Sequence, residues 1–153
     1  MKWTAIVLIL LIVLTGCTKE KDYYGGIKKD QMTDITNDPK LEYLHEFKGH
    51  TDNWGAVIYF YKSKESEKVN TRTYLVYNGK EPLQTGEITA QYMVDGDVGG
   101  DGAFGGIAAT KPHEKRIFSF ILGAASTSPN SDSKVQVLVQ QRNNSESIDL
   151  QMD

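Results

Sequence analysis

Trp54-Gly55-Ala56-Val57-Ile58-Tyr59-Phe60-Tyr61 is the stretch that decides the fold. Read with a period of two, it places Trp54, Ala56, Ile58 and Phe60 on one face and Gly55, Val57, Tyr59 and Tyr61 on the other. Strand geometry makes that pattern and an amphipathic helix does not. Working outward, Val69 to Tyr77 is rich in β-branched and aromatic residues and runs into Asn78-Gly79, a pair that tolerates positive φ in a tight turn. Ile88, Ala90, Tyr92 and Val94 alternate with Thr89, Gln91 and Met93 before a glycine-rich stretch from Asp95 to Gly106. Ile117 to Leu122 is a short apolar run suited to a strand covered on both faces. At the C-terminus Val135, Val137 and Val139 alternate with Gln136, Leu138 and Gln140, Arg142 to Ser145 reads as a turn, and Ile148, Leu150 and Met152 return on one face. Leu41 to Phe47 supplies a first strand.

Roughly seven short strands separated by turn signals, with no long helix between them, predict an all-β domain over residues 41–153. The architecture that fits this length is a single immunoglobulin-like antiparallel β-sandwich, each sheet burying one face against the other, with Trp54 near the centre of the core. A small β-barrel is the alternative. The resemblance is architectural only, because a chain with one cysteine has no inter-sheet disulfide.

The N-terminus has a different character. Lys2 precedes an uninterrupted apolar segment, Thr4 to Leu14, which has the length of a secretory signal and falls short of the roughly 20 residues of a membrane-spanning helix. Directly behind it stands Leu14-Thr15-Gly16-Cys17, with the only cysteine of the chain in the last place. These four residues resemble the lipobox of bacterial lipoproteins: an aliphatic residue, a small residue, Gly or Ala, then Cys. The resemblance implies that Cys17 takes a diacylglyceryl group as a thioether and becomes the new N-terminus, with residues 1–16 removed as a signal peptide. A thiol is the side chain with the nucleophilicity for that step. Two acyl chains give stable anchoring where one gives marginal, reversible binding. The implied location is the extracytoplasmic face of the cell membrane. Residues 17–40, dense in Lys, Asp, Gly and Thr, are then expected to form the lipidated N-terminus and a flexible tether spanning roughly 25 Å root-mean-square, with Tyr23 and Tyr24 beside Gly25-Gly26 as the exception that could dock on the domain or sit at the membrane interface. Residues 41–153 also resemble, loosely, small uncharacterised lipoproteins of Gram-positive bacteria in their Trp54-bearing strand, Tyr77-Asn78-Gly79 turn and terminal hairpin, a likeness that implies no activity.

Removing Lys2 with the signal leaves 16 of the 17 basic residues against 20 acidic, so the formal charge moves from −3 to −4. A mildly acidic surface repels phosphate, which argues against a nucleic-acid partner. The lone cysteine excludes a cysteine zinc site and a redox pair.

Among candidate sites, Asp95, Asp97 and Asp101 lie in Asp-Gly-Asp-Val-Gly-Gly-Asp-Gly, where three carboxylates on a loop could converge on a hard cation such as calcium. The spacing departs from the EF-hand, and a solvated β-connection is the plainer reading. Tyr59, Tyr61 and Tyr74 could share an outer face as an exposed aromatic row for a glycan or an envelope protein, unless a second layer or the tether covers them. His45, His50 and His113 lack paired ligand spacing, and no Gly-x-Ser-x-Gly elbow is present. Asn143-Asn144-Ser145 matches a glycosylation acceptor but reads better as a turn. No residue is assigned a catalytic role and no cofactor is implied beyond the lipid on Cys17. The resulting expectation is a non-enzymatic binding or interaction module of the envelope. The alternatives are a cation- or solute-binding lipoprotein using the Asp95–Asp101 loop, and an envelope hydrolase drawing on His113, Glu114 and that loop.

Overall fold

The computed structural model describes residues 21–83, 86–104, 116–125 and 128–153. Cys17 and the apolar segment before it, and also His113 and Glu114, lie outside the described residues. The strand read from Trp54 onward is β2 (Trp54–Ser63), and its parity is the one the alternation predicts. Trp54, Ala56, Ile58 and Phe60 join the main core, while Val57 and Tyr59 belong to a second cluster on the opposite face. Around it run β1 (Leu41–His50), β3 (Asn70–Tyr77), β4 (Ile88–Val94), β5 (Asp97–Phe104), β6 (Ile117–Phe120), β7 (Val135–Gln141) and β8 (Asn144–Met152).

The fold is all-β, with every strand pairing antiparallel. All eight strands belong to one sheet in the order β5-β4-β7-β8-β1-β2-β3-β6. One curled sheet thus takes the place of the two separate sheets of the expected immunoglobulin-like sandwich. The curl folds the sheet over its own apolar face, and its edge strands β5 and β6 approach each other. The joint between β8 and β1 is short, made by Phe47↔Met152 and Lys48↔Gln151. The strand absent from the sequence reading is β5, hidden in the glycine-rich stretch. Asp95 and Gly96, at φ 52° and 92°, form the two-residue turn that launches it, with Val94 paired to Asp97. Asp-Gly is a hairpin signal because both turn positions need positive φ.

Phe47, Ile58, Phe60 and Tyr92 are fully buried and fill the inside of the curl, with Phe60 edge-on to Phe47 and Tyr92 at ring-centroid distances of 5.7 and 5.4 Å. Trp54 is buried at one end of this core, against Tyr77 and Phe118, and not at its centre.

Residues 21–40 differ from the flexible tether expected. A 3-10 turn at Lys29–Gln31 and a single helical turn, α1 (Thr33–Thr36), carry Ile27, Met32 and Ile35 onto the outer face of the sheet, where they are buried with Val57, Tyr59 and Val76. Polar contacts pin the segment along its length. Arg72 donates to both oxygens of Asp34 at 3.0 and 2.7 Å, Lys29 Nζ donates to the Leu44 carbonyl at 3.0 Å, and Asn78 Nδ2 to the Tyr23 carbonyl at 2.9 Å. Gly55 is required beneath that last contact, because a β-carbon there would collide with the Tyr23 carbonyl oxygen. Among the described residues no helix is long and apolar enough to cross a membrane.

Candidate functional site

The polar and aromatic groups gather at one end of the sheet, where the β1–β2 turn, the β7–β8 turn and the chain after β3 meet. Thr51 to Asn53 forms a tight turn, closed by a bond from the Thr51 N–H to the Trp54 carbonyl at 2.8 Å and from the Trp54 N–H to Thr51 Oγ1 at 3.1 Å. That turn presents two donors to Glu146 on β8: Thr51 Oγ1 at 2.6 Å and Asn53 Nδ2 at 2.7 Å, one to each carboxylate oxygen. Across the gap the Tyr77 hydroxyl donates to the Glu81 carbonyl at 2.9 Å, its ring lies edge-on to Trp54 at 5.1 Å, and the Arg116 guanidinium stands 5.7 Å above it.

Between these groups is a cleft of about 310 Å³ whose walls include Trp54, Tyr77, Leu83, Gln141 and Glu146. A second hollow of about 500 Å³ shares Asn53, Tyr77 and Glu81 with it and adds Lys21, Asp52 and Lys80. Such a surface can seat a small polar group or a protein loop against an aromatic wall. Glu146 is a fixed acceptor there rather than a mobile one, since both its oxygens are engaged.

The sequence-predicted tyrosine row is not an exposed platform. Tyr59 has 0% of its surface exposed and donates to Glu46 Oε1 at 2.8 Å. Tyr61 and Tyr74 are half-buried in the same outer cluster, and the Tyr74 hydroxyl meets Met32 Sδ at 3.2 Å. The N-terminal segment covers this face. Beneath its edge Glu46, itself buried, also holds Lys48 Nζ at 3.0 Å, and Lys48 reaches Asp153 at 2.8 Å. Burial, then the Glu46 hydrogen bond, pushes the Tyr59 hydroxyl well above the ordinary phenol value. Burial alone would lower the Lys48 ammonium, but the bonds to Asp153 and Glu46 outweigh it and hold it above its usual value.

The backbone spreads the three aspartates along the β4–β5 hairpin. Asp95 sits in the β4–β5 turn, where its N–H donates to the Lys134 carbonyl at 2.8 Å and its Oδ1 accepts the Lys134 N–H at 2.8 Å. Asp97 opens β5, and Asp101 pairs with Gln91 further along the same strand, about 13 Å of extended backbone away. Among the described residues no three metal-ligating side chains converge. His45 is half-buried beside Tyr43, its imidazole held below the ordinary value by burial and then by the charge of Lys29. His50 is exposed and stacks on Tyr23 at 3.6 Å. Asn143 and Asn144 stand at the β7–β8 turn, as the plainer reading has it.

Glu146, Glu46 and Arg72 carry no local motif, and Asn78, legible as a turn residue, also holds the Tyr23 carbonyl. Glu46 and Lys48 carried the one available signal, a charged pair on one face of a strand, which marks either solvent or a cover. No known protein family, characterised protein or solved structure compared with this chain matches it.

Proposed function

We propose that the chain is a lipid-anchored extracytoplasmic lipoprotein whose all-β domain acts as a binding or interaction module of the cell envelope. The observation that carries this reading is the placement of Cys17, the only cysteine, behind Leu14-Thr15-Gly16 and an apolar run of signal-peptide length. Binding is favoured over catalysis by the state of the carboxylates. Glu146 in the cleft and the buried Glu46 are each held by two donors, so they orient neighbours and shape a surface instead of standing ready to exchange protons. The partner that suits the end cleft is an envelope protein loop or a glycan, resting on the Tyr77 ring that Trp54 backs from the core and hydrogen-bonding to Glu146 and Gln141.

Intact mass of the protein extracted from membranes tests this directly. The expected mass is that of residues 17–153 plus a diacylglyceryl group, and Cys17→Ala should abolish both the lipid and membrane retention. A full-length chain with a free thiol would contradict the reading.

A further inference from the structure

The docked N-terminal segment determines where the anchor leaves the domain. Lys21 lies beside Asp52, Asn53, Asn78 and Lys80, at the end of the sheet that carries the cleft. Tyr23 is fixed at that end by its stacking on His50 at 3.6 Å and by the Asn78 bond to its carbonyl at 2.9 Å. Lys21 is only four residues after Cys17, so the chain between them reaches at most ~14 Å. The body is far longer, because the ten residues of β2 alone extend ~30 Å. The β2–β3 turn around Glu67 and the Asp95-Gly96 turn lie at the opposite end. A leash shorter than half the body cannot let it turn over.

We propose, resting on the lipidation of Cys17, that the Lys21 end of the domain is a membrane-facing surface packed against the phospholipid headgroup layer. Its chemistry suits zwitterionic headgroups. Lys21 and Lys80 face the phosphates, while Asp52 and Glu81 on the same hollow face the amines. Tyr23 and Tyr24 supply the amphipathic rings that favour the membrane–water boundary, with the Lys21 ammonium 4.7 Å above the Tyr23 ring. The cleft therefore opens close to the bilayer, and the Asp95-Gly96 turn points away from it.

The test uses the full chain, lipidated in cells and reconstituted into phosphatidylcholine vesicles containing a trace of nickel-chelating lipid. With the Cys17 sulfur blocked as a thioether, a spin label on Asp52→Cys, Glu67→Cys or Ser131→Cys is unique, and all three positions are exposed. The expected result is nickel-induced relaxation several-fold stronger at 52 than at 67 or 131. Equal relaxation at the three sites, or stronger relaxation at 67, in a preparation whose mass shows the diacylglyceryl group, overturns the orientation alone. A mass without that group overturns both the orientation and the lipoprotein reading.

Discussion

Both faces of β2 are buried, but by different means. The inner face, with Ile58 and Phe60, is covered by strands distant in sequence, β4, β7 and β8, brought over it by the curl. The outer face, with Val57 and Tyr59, is covered by a short piece of chain holding Ile27, Met32 and Ile35. The inner cover is made by a hydrogen-bonded ladder that cannot leave without unfolding the domain. The outer cover is a strap, held by three apolar side chains and a few polar pins, and it is expected to detach before the sheet unfolds.

The largest effect separating the two should come from Phe60→Ala, which removes a ring packed between Phe47 and Tyr92. A loss of about 3–5 kcal/mol is expected, read as a lowered urea midpoint for the whole domain. Ile35→Ala should cost less, about 2 kcal/mol of the strap's docking free energy, since the edge of the outer cluster can partly collapse. Its readout is faster tryptic cleavage at Lys28 or Lys29 with little change in the global midpoint. Equal effects from the two substitutions would erase the distinction between core and strap.

A smaller effect is expected of pH. Because burial and Lys29 hold the folded His45 below the ordinary imidazole value, the unfolded chain takes up its proton first on acidification. Stability should therefore be full above about pH 6.5 and fall below it, as the charged ring meets Lys29. His45→Gln should flatten that part of the melting-temperature profile, and an unchanged slope would show that His45 is not its source.

Asp34→Asn should have the smallest effect. Its carboxyl is held below the usual carboxylate range by the Arg72 hydrogen bonds, yet it is solvent-exposed. The expected outcome is a slight rise in tryptic cleavage of the segment at low salt that disappears at high salt, where the wild-type pair is screened as well. A large, salt-independent rise would mean that the ion pair is the main fastening.

Much of the inner face was legible because period-two alternation is a local property, as in Trp54 to Phe60, Ile88 to Val94 and Val135 to Val139. What alternation leaves open is which strand lies beside which. The pairings β1 with β8, β3 with β6 and β4 with β7 join distant residues, and they turn an expected pair of sheets into one curled sheet. β5 was hidden by its glycines, although the Asp95-Gly96 dipeptide announced its turn. The strap was illegible for another reason. Ile27, Met32 and Ile35 are spaced five and three apart among Lys28, Lys29, Asp30 and Asp34, matching neither the strand nor a sustained helix period. The tyrosine row was placed on the right face, but that face is covered. Glu146 gave no sign in the sequence, because its partners Thr51 and Asn53 lie more than ninety residues away.

Residues 21–40 belong to the folded body. Nuclear Overhauser contacts in the soluble chain beginning at Thr18 test it most directly. Cross-peaks are expected from the methyl groups of Ile27 and Ile35 to those of Val57 and Val76. Sharp, random-coil methyl signals for Ile27 and Ile35, with no contact to the sheet, would contradict it.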